Sequence, residues 1–372
     1  MSNRIVHMTS AHSRNDIRIF IKMCSSLAKS EAFEVFLVVA DGLGNEIKNG
    51  VNIVDVGKVQ GRLKRMFVAT RKVFLQAKKL QGDIYHIHDP ELIPSGLKLR
   101  KLNKKVIFDA HEDLPKQVKA KPYLPVIARK VLPYFIEWYE SRVSFKFNYI
   151  VTATPSIRDK FAKITPNVID INNFPITDEL VCPIVEDRGP LSQVCYIGAI
   201  TKIRGIEQLL QASALLEDIS LVLVGEFAEP TLKELLQKTQ NWSNVVETGF
   251  VDREVVKEVL NNSMAGLVTL LPTPNHLESL PNKMFEYMSA GVPIIASDFP
   301  LWKEIIDSTG CGIYVNPENP EEIKNAILYL SQNPIEAKKM GRNGYKAVAT
   351  KYNWSSQFLR LSRIYNNILA DD

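Results

Sequence analysis

Cysteine is scarce in this chain of 372 residues, and its four cysteines are scattered. They form no Cys-x-x-Cys pair and show no metal-ligand spacing; they are Cys24, Cys182, Cys195 and Cys311. This usage indicates a reduced cytosolic protein without a structural zinc site. Long apolar runs are missing as well, since no stretch approaches the roughly 18 residues of a membrane-spanning helix. Residues 4–8 have a strand pattern with no long apolar core and no cleavage site, so we expect no signal peptide.

Low-complexity segments and short repeats are also absent, which leaves an ordinary globular composition. Hydrophobic residues make up 45% and charged residues 23% of the chain, as is typical of soluble proteins. A chain of 372 residues is too long for one ordinary core, so we predict two domains.

The net charge of +5 is unevenly distributed along the chain. Residues 1–175 contain 29 Lys and Arg against 16 Asp and Glu, whereas the remainder contains 17 against 25. A basic first half suggests an anionic partner for that half. Nucleic acid, a membrane surface and a phosphorylated substrate all fit at this point.

Apolar runs of strand length alternate with helical stretches in both halves of the chain. The predicted strands cover 5–8, 35–40, 84–88, 106–110 and 149–153, and then 193–198, 220–225, 245–249, 265–270 and 293–297. This alternation predicts two doubly wound α/β domains. The polar stretch 171–190 is the predicted linker, and a helix over 352–369 closes the chain. Two such domains facing each other across a cleft would bind a ligand at the carboxyl ends of their strands.

Two glutamates, Glu278 and Glu286, lie with seven residues between them around a predicted helix start. Proline is tolerated in a first helical turn, so Leu280 and Pro281 mark that start, and Gly291 marks the helix end. Along one helix axis the two carboxylates would lie roughly 12 Å apart. A helix N-terminus suits a phosphate. The spacing therefore matches a ligand with a hydroxylated group at each end and a diphosphate between them, which is the layout of a nucleotide sugar.

The second half of the chain, roughly 193–350, resembles the family-four retaining glycosyltransferases of the GT-B fold. The resemblance rests on the two glutamates and on the sequel Ala290–Ile294. The supporting motifs are Tyr196-Ile197-Gly198, Arg204-Gly205, Leu223-Val224-Gly225 and Gly249-Phe250-Val251. The first half is similar to a bacterial subgroup of the family, of the polysaccharide or O-antigen type. Its motifs are His88-Asp89-Pro90-Glu91-Leu92 and Phe108-Asp109-Ala110-His111-Glu112-Asp113.

The resemblance implies a GT-B fold of two Rossmann-like domains that face a central cleft. Residues 1–175 would bind the acceptor, with the C-terminal helix 352–372 crossing back to this domain, and residues 190–351 would bind the nucleotide sugar. The implied reaction is metal-independent hexosyl transfer with retention, from a UDP-sugar or, as the alternative, a GDP-sugar. The implied acceptor is a lipid-linked saccharide of bacterial surface polysaccharide or lipopolysaccharide synthesis. The protein would then work in the cytoplasm at the inner face of the membrane, without a cofactor.

The family's site residues carry over onto this chain one by one. Glu278 would face the donor sugar, and Glu286 would hydrogen-bond the ribose. Arg204 stands where the family has a lysine, whereas Ala199 stands where it has an arginine, with Lys202 as the substitute. The remaining donor residues are Gly198, Ser279, Leu280, Pro281 and Asn282 for the diphosphate and Gly249, Phe250 and Val251 for the base. Glu278, Arg204 and His111 form the implied catalytic set, in which His111 would hydrogen-bond the donor sugar or stabilise oxocarbenium-like charge through its main-chain carbonyl.

Three side chains of the first half are assigned to the acceptor: His12, Arg14 and His88. The loop 9–16 offers N–H groups at a helix start, and a simple capping loop is its alternative interpretation. His7 and His86 are interpreted as structural. No Asp-x-Asp pair ends a strand, which favours transfer without a metal.

Two basic segments of the first half, 62–79 and 116–146, are interleaved with apolar and aromatic residues. The aromatics of the second segment are Tyr123, Tyr134, Phe135, Trp138 and Tyr139. A membrane surface and a solvated helix face both fit these segments. Nucleic acid fits less well, because no zinc-finger, helix-turn-helix or RNA-recognition motif is present.

Two alternatives to sugar transfer stay open on the sequence. One is a nucleotide-sugar 2-epimerase on the same fold, and the other is a non-catalytic scaffold that retains the fold. The base, the sugar, the acceptor and the linkage also stay open.

Overall fold

A computed structural model describes residues 2–119, 124–177, 191–239 and 242–370, with the backbone alone for Arg62 and Thr239. Tyr123, Cys182 and the predicted linker from residue 178 onward lie outside the described residues. The chain divides into two compact units: one joins Met1–Asn173 to Ser355–Asp372, and the other is Phe174–Trp354. The boundaries expected at 175 and 352 lie two and three residues from these.

The first unit is built on an eight-stranded sheet. Its strands are β1 Asn3–Met8, β2 Phe33–Val39, β3 Glu46–Lys48, β4 Val51–Asp55, β5 Ile84–Ile87, β6 Lys105–Ala110, β7 Tyr149–Thr152 and β8 Val168–Asp170. They lie in the order β3-β4-β2-β1-β5-β6-β7-β8, and only β3 and β4 pair antiparallel. All four residues of β5 are buried, as expected for a parallel strand covered on both faces. The sequence pattern missed β3, β4 and β8, because β3 is exposed throughout and β4 and β8 are only partly buried.

The helices of the first unit follow the strands in the usual alternation. They are α1 Ser25–Leu27, α2 Arg62–Lys64, α3 Thr70–Lys79, α4 Ile93–Lys101, α5 Leu114–Lys119, α6 Val126–Val143 and α7 Pro155–Ala162. Segments of π-helix, Ile17–Cys24 and Arg65–Ala69, precede α1 and α3, and 3₁₀ turns lie at Pro90–Leu92 and Ser144–Lys146. Asp16 caps the first π-helical segment, because its carboxylate accepts a hydrogen bond of 2.8 Å from the N–H of Ile19.

The second unit is built on a six-stranded sheet that is parallel throughout. Its strands are β9 Gln193–Ile197, β10 Ser220–Val224, β11 Val245–Gly249, β12 Ala265–Val268, β13 Ile294–Ser297 and β14 Gly312–Val315, in the order β11-β10-β9-β12-β13-β14. Its helices are α8 Ile206–Ala214, α9 Pro230–Thr239, α10 Arg253–Asn261, α11 Pro274–Leu277, α12 Asn282–Ser289, α13 Pro300–Thr309, α14 Pro320–Gln332 and α15 Pro334–Thr350. A 3₁₀ turn lies at Lys202–Arg204. The pattern missed β14, which is a partly exposed edge strand.

Alternate residues of β9 pack into two separate apolar cores. Cys195 belongs to one core, whereas Val194 and Tyr196 belong to the other. The sheet of the second unit is therefore covered on both faces, which is why its strands appear as continuous apolar runs in the sequence.

The last helix, α16 Trp354–Ala370, returns the chain to the first unit from residue 355 onward. Tyr365 of this helix is fully buried and lies 2.5 Å from Nδ1 of His86. Among the helices of the described residues, none is long and apolar enough to cross a bilayer.

Each sheet contains one point at which the winding of the chain reverses. In the first sheet β2 and β5 flank β1, and in the second sheet β10 and β12 flank β9. Loops that leave two adjacent strands at such a point run to opposite faces and open a crevice, where α/β proteins bind their ligands. We therefore expect ligand-binding residues in the loops after β1 and β5 and in the loops after β9 and β12.

A buried ion pair ties the first helical segment to β6. Arg18 donates from Nη2 and Nε to the carboxylate of Asp109 at 2.8 and 3.0 Å, and from Nη1 to the carbonyl of Ile171 at 2.7 Å. We expect Arg18→Met to lower the free energy of unfolding by about 3–5 kcal/mol, because it removes the guanidinium that neutralises the buried Asp109 carboxylate. Urea unfolding measures this change.

The matched control for this experiment is Lys339→Met. Lys339 forms an exposed ion pair with Glu336 at 3.3 Å, and such pairs contribute about 0–1 kcal/mol. A loss for Arg18→Met no larger than that of the control would contradict the structural role of the buried pair.

Candidate functional site

Three glycines end the neighbouring strands β9, β10 and β11 and join them through backbone hydrogen bonds. The N–H of Gly198 donates to the carbonyl of Val224, and that of Gly225 donates to the carbonyl of Gly249, both at 2.8 Å. Gly225 has φ +135°, and a Cβ at this position would lie 2.3 Å from the carbonyl oxygen of Gly198. Only glycine allows this approach. This edge of the sheet is therefore formed by backbone without side chains at Gly198, Gly225 and Gly249, and we call this surface the glycine floor. Phe250 follows at the edge of this floor with 84% of its surface exposed.

Arg204 reaches this floor from the loop after β9. The backbone N–H of Arg204 donates to Thr201 in the 3₁₀ turn, and its Nη1 donates to the carbonyl of Ala199 at 3.1 Å. Lys202, the expected substitute for the family's arginine, is 66% exposed and pairs with Glu207 at 3.3 Å. The structure therefore places Arg204, and not Lys202, against the carboxyl end of β9.

Lys283 is a second cation at this position, and the sequence analysis missed it. Its amine is buried, and within the described residues it has no hydrogen-bond partner. A Cβ on Gly198 would lie 3.5 Å from Nη1 of Arg204 and 3.6 Å from Nζ of Lys283, so both cations adjoin Gly198. Burial holds the pKa of Lys283 well below its usual value, and Arg204 lowers it further. The signal available in the sequence was the spacing of Lys283 from Tyr287, which places a lysine on the buried face of α12.

His276 lies within the positive potential of these two cations. Its Nδ1 donates a hydrogen bond of 2.9 Å to the carbonyl of Leu271. Burial is the main cause that lowers the pKa of His276, and the charges of Arg204 and Lys283 contribute to the same shift. The groups around the start of α12 therefore favour an anion.

The segment with the two glutamates is not one continuous helix, although the expected spacing of roughly 12 Å used a helical rise for all of it. Glu278 follows the short helix α11, whereas Glu286 lies within α12, which begins at Asn282 after the capping residue Pro281. Proline disfavours a helical backbone at the residue before it, so Leu280 stays outside the helix. The spacing of roughly 12 Å derived for one helix does not apply.

The turn between α11 and α12 is held by its own hydrogen bonds. The N–H of Ser279 already donates to the carbonyl of His276 at 3.2 Å, so it is not available for a phosphate. The indole of Trp302 donates to the carbonyl of Ser279 at 2.7 Å. This bond orients the turn that carries the exposed Glu278.

Glu286 is oriented by an arginine that the sequence analysis did not single out. Arg253 donates from both terminal nitrogens to Oε1 of Glu286, each at 3.2 Å. Arg253 is the first residue of α10, and Asp252 caps that helix by accepting from the N–H of Val255. The pair therefore brings Glu286 beside the loop that contains Phe250.

In the first unit the structure brings His12 and His111 together. Their ring centroids lie 5.1 Å apart in an edge-to-face arrangement. His111 follows β6 directly and is 15% exposed, and its Nδ1 has no hydrogen-bond partner within the described residues. His12 lies in the loop after β1, and its Nδ1 lies 3.2 Å from Oδ2 of Asp16.

His88 and Arg14 do not lie at a ligand-accessible surface, which corrects their assignment to the acceptor. His88 is fully buried, with Nδ1 3.0 Å from Asp109 and Nε2 2.8 Å from Nδ1 of His7. Arg14 is buried against the carboxylates of Asp41 and Glu46, at 2.7 and 3.0 Å. Both residues follow predicted strand ends, but their side chains pack into the unit. Asp109 accepts a hydrogen bond from His88, and the carboxylates of Asp41 and Glu46 neutralise Arg14.

Asp89 occupies the loop that was expected to offer N–H groups to a ligand. Its Oδ2 accepts from the N–H groups of Ser10 and Ala11 at 2.5 and 3.2 Å, and from the hydroxyl of Thr9 at 3.0 Å. The carboxylate of Asp89 thus takes the place that an external anion would fill. We therefore assign no phosphate contact to this loop.

Three buried histidines of the first unit, His7, His86 and His88, have ligand atoms within 4.8 Å of one another. Their rings are stacked: the planes of His7 and His88 differ by 12° and those of His86 and His88 by 26°. Near-parallel rings direct their nitrogens along separate lines and not to one centre, and two of these nitrogens already share a hydrogen bond. The geometry is that of a hydrogen-bonded cluster and does not fit a tetrahedral metal site.

The two Rossmann-like units, each with its own reversal point, are the architecture of the GT-B fold. Residues 18–171 match the family model described as "Glycosyltransferase Family 4", and residues 187–347 match the model described as "Glycosyl transferases group 1". The crystal structure of Anabaena HepE in complex with UDP-glucose superposes with a TM-score of 0.73 at 12% identity, covering 98% of this chain and 99% of that one. The chain belongs to the group 1, family-four glycosyltransferases.

Two curated relatives share part of the chain. The alpha-D-kanosaminyltransferase of Streptomyces kanamyceticus is 29% identical over 47% of this chain and 45% of its own. The alpha-galactosylglucosyldiacylglycerol synthase of Streptococcus pneumoniae is 25% identical over 60% of this chain and 63% of its own. The aligned region thus spans about half of the first relative and less than two thirds of the second.

The pair of His12 and Asp16 predicts a dependence of stability on pH. Burial opposes ionisation of Asp16, but hydrogen bonds from His12 and from the N–H of Ile19 prevail and lower its pKa from 3.8 to about 2. Because the pKa is lower in the folded state, ionised Asp16 stabilises the protein above pH 4, and this stabilisation is lost as the pH falls from about 4 to 2. We expect Asp16→Asn to lower the free energy of unfolding by about 2 kcal/mol at pH 7 and by roughly half as much at pH 3.

Urea unfolding of both proteins at pH 7, 5 and 3 measures this difference. Asp159→Asn, in an exposed carboxylate of the same unit, is the control. A destabilisation by Asp16→Asn that is constant between pH 7 and pH 3 would contradict the assignment.

Proposed function

We propose that the protein transfers a sugar from a nucleoside diphosphate donor, with a UDP-sugar favoured over a GDP-sugar, to a lipid-linked saccharide with retention of configuration. The observation that carries this proposal is the positive crevice of the second unit. At the reversal point between β9 and β12, a floor of glycine backbone meets Arg204 and the start of α12. Bare backbone, a guanidinium and a helix N-terminus together are what a diphosphate requires.

The other predicted donor residues follow from the position of the diphosphate. Its oxygens would accept from Arg204 and from the N–H groups of Leu280 and Asn282. The base would lie along the loop at Phe250, and Glu286, held by Arg253, would accept from the ribose hydroxyls. Glu278, in the turn before α12, would accept from the hydroxyls of the sugar.

Negative charge develops on the diphosphate as the sugar leaves. A cation within hydrogen-bond distance of the leaving oxygens stabilises that charge in the transition state. Arg204 supplies such a cation, which supports transfer without a metal. We also propose for His111 the role that the resemblance implies, which is to hydrogen-bond the sugar or to stabilise its oxocarbenium-like charge through the main-chain carbonyl; the side chain of His111 is 15% exposed.

The two glutamates are expected to have different effects on binding and on turnover. We expect Glu286→Gln to weaken binding of UDP itself by roughly tenfold or more, because a hydrogen bond to a charged group contributes about 1.5–3 kcal/mol. Glu278→Gln should leave the affinity for UDP unchanged and lower kcat/KM for the UDP-sugar, since UDP lacks the sugar. Calorimetry with UDP and an assay of UDP release measure these two quantities.

The control is Glu321→Gln, in an exposed glutamate of α14. Equal loss of UDP affinity in both variants would contradict the separate assignments of Glu278 and Glu286. The release of UDP only when an acceptor is supplied separates transfer from the two alternatives, because a 2-epimerase would convert the donor without acceptor and a scaffold would convert nothing.

The lipid-linked acceptor is supported by an exposed apolar face on α6. The exposed residues recur at intervals of three and four and are Ile127, Val131, Tyr134, Phe135 and Trp138. Ile127 alone is 77% exposed. The other face of the helix is buried through Pro133, Glu140 and Val143. An amphipathic helix with its apolar face open to solvent fits the interface of a bilayer.

Basic side chains accompany this face, as an anionic bilayer would require. Arg142 lies over the ring of Trp138 at 5.7 Å, and Lys119 lies over that of Tyr134 at 5.7 Å. Phe67, in the first basic segment, is 71% exposed. The relative from Streptococcus pneumoniae is named for a diacylglycerol glycolipid, which also supports a lipid acceptor.

We expect the double variant Ile127→Ser with Trp138→Ser to lose most of its binding to vesicles that contain anionic lipid. Each replacement removes a large apolar side chain from the interface, and such burial is worth roughly 1.5–3 kcal/mol per side chain. Sedimentation with vesicles of phosphatidylglycerol and phosphatidylcholine, at low and high salt, measures the partition. Ile335→Ser is the control, because Ile335 is as exposed, at 84%, but lies in the second unit. Equal partition of wild type and the double variant would contradict the membrane surface.

A further inference from the structure

The amine of Lys283 is buried in the second unit without a hydrogen-bond partner. The residue is 9% exposed, and Nζ lies 3.6 Å from the ring centroid of Tyr196. A buried polar group without a partner destabilises a fold. A methionine would fill the same space without that loss, so packing alone does not account for a lysine at this position.

The surroundings of this amine carry more positive than negative charge. Arg204 and Lys283 both adjoin Gly198, and His276 lies near enough to be influenced by both. The groups of opposite effect on Lys283 are Glu286, one turn further along α12, and the thiol of Cys195 on β9. Glu286 is already bonded to Arg253. An anion between Arg204 and Lys283 would therefore relieve a repulsion that the protein itself does not relieve.

We propose that Lys283 binds the diphosphate of the donor and supplies the charge for which the related family uses an arginine at the position of Ala199. This inference rests on the proposed function, because it names a residue of the same donor site. Lys202 does not fill this role, since its amine points to Glu207. Lys283 lies in the first turn of α12, so its ammonium, the helix N-terminus and Arg204 converge on the glycine floor.

Binding of the diphosphate is then coupled to the protonation of Lys283. An anion stabilises the ammonium form, so affinity falls as the pH rises through the range in which Lys283 of the free protein loses its proton. The other groups that face the amine do not change charge between pH 7 and 9: burial raises the pKa of Cys195 to about 12 and raises that of Tyr196, and burial lowers the pKa of His276. Arg204 and Glu286 are the other charged groups that face the amine.

The test is calorimetric titration of the full-length protein with UDP, and with uridine as the probe without phosphate. We expect Lys283→Met to weaken UDP binding roughly ten- to hundredfold, the factor carried by a hydrogen bond to a charged group. Uridine binding should stay unchanged. As the pH rises above 7, where the phosphates of UDP are largely ionised, the affinity of the wild type for UDP should fall relative to that of Lys283→Met.

The matched control is Lys303→Met. Lys303 also lies over a tyrosine ring, Tyr314 at 5.0 Å, and pairs with Asp298 at 3.6 Å, but it lies outside the donor site. This control should bind UDP as the wild type does. Ala199→Arg in the Lys283→Met background should recover part of the lost affinity, because it returns a cation to the position that the family uses.

Thermal unfolding separates a binding role from a structural one. Without ligand, Lys283→Met should unfold at the same temperature as the wild type or higher, because the buried amine is replaced by an apolar chain of similar size. If methionine prevents folding, Lys283→Gln is titrated in its place. UDP binding by either folded variant within about twofold of the wild type would overturn the inference and leave the proposed function standing. Failure of the wild type to bind any of UDP, GDP, dTDP and ADP would overturn the proposed function itself.

Discussion

Positive charge that the protein does not itself neutralise is the constraint on which the crevice of the second unit depends. The strands β9 and β10 end in bare backbone at Gly198 and Gly225. Arg204 comes to this floor from the loop after β9, and Lys283 comes from the helix after β12. Two like charges in a partly buried site repel each other. The crevice is therefore complementary to an anion before any ligand is bound, and the fold carries the cost of this arrangement in the unliganded state.

At the reversal point of the first unit, by contrast, carboxylates of the protein itself bind the N–H groups and neutralise the cation. Asp89 accepts from the N–H groups of the loop after β1, and Arg18 is matched by Asp109. What this edge still offers are the rings of His12 and His111. The basic excess of the first half therefore does not form a phosphate pocket here. Part of it lies on exposed helix surfaces such as α6.

The elements with strong apolar runs could be predicted from the sequence, and the weaker ones could not. Each of the ten predicted strands overlaps an observed strand, and the C-terminal helix, expected from 352, begins at Trp354. The edge strands β3 and β14 gave no signal, because one is exposed throughout and the other partly so. The break between α11 and α12 was in the sequence, at Pro281, but proline was interpreted as a first-turn residue and not as a capping residue.

The candidate site residues also fall into two groups, those within local sequence motifs and those that depend on contacts between distant elements. Motifs singled out Arg204, Glu278 and Glu286 as candidates, because each belongs to a local pattern, and their roles stay predictions. Lys283 and Arg253 depend on contacts between elements far apart in the chain, such as the bond from α10 to α12, and no local pattern carries that information. His88 and Arg14 show the reverse error. A polar residue after a strand end faces a ligand only if its side chain is not already bound to a carboxylate within the unit. Here Asp109 binds His88, and Asp41 binds Arg14.

The cluster of histidines gives the first unit a physical reason to include the end of the chain. Tyr365 of α16 contacts His86 and His7, His7 contacts His88, and His88 contacts Asp109. Desolvation lowers the pKa of all three histidines, so neutral rings, each a donor and an acceptor, can form a continuous chain of hydrogen bonds. Asp109 lies two residues before His111, and this chain holds β6 at the point where His111 leaves it. The last helix of the protein thus fixes the position of a histidine that is more than 240 residues away in the sequence.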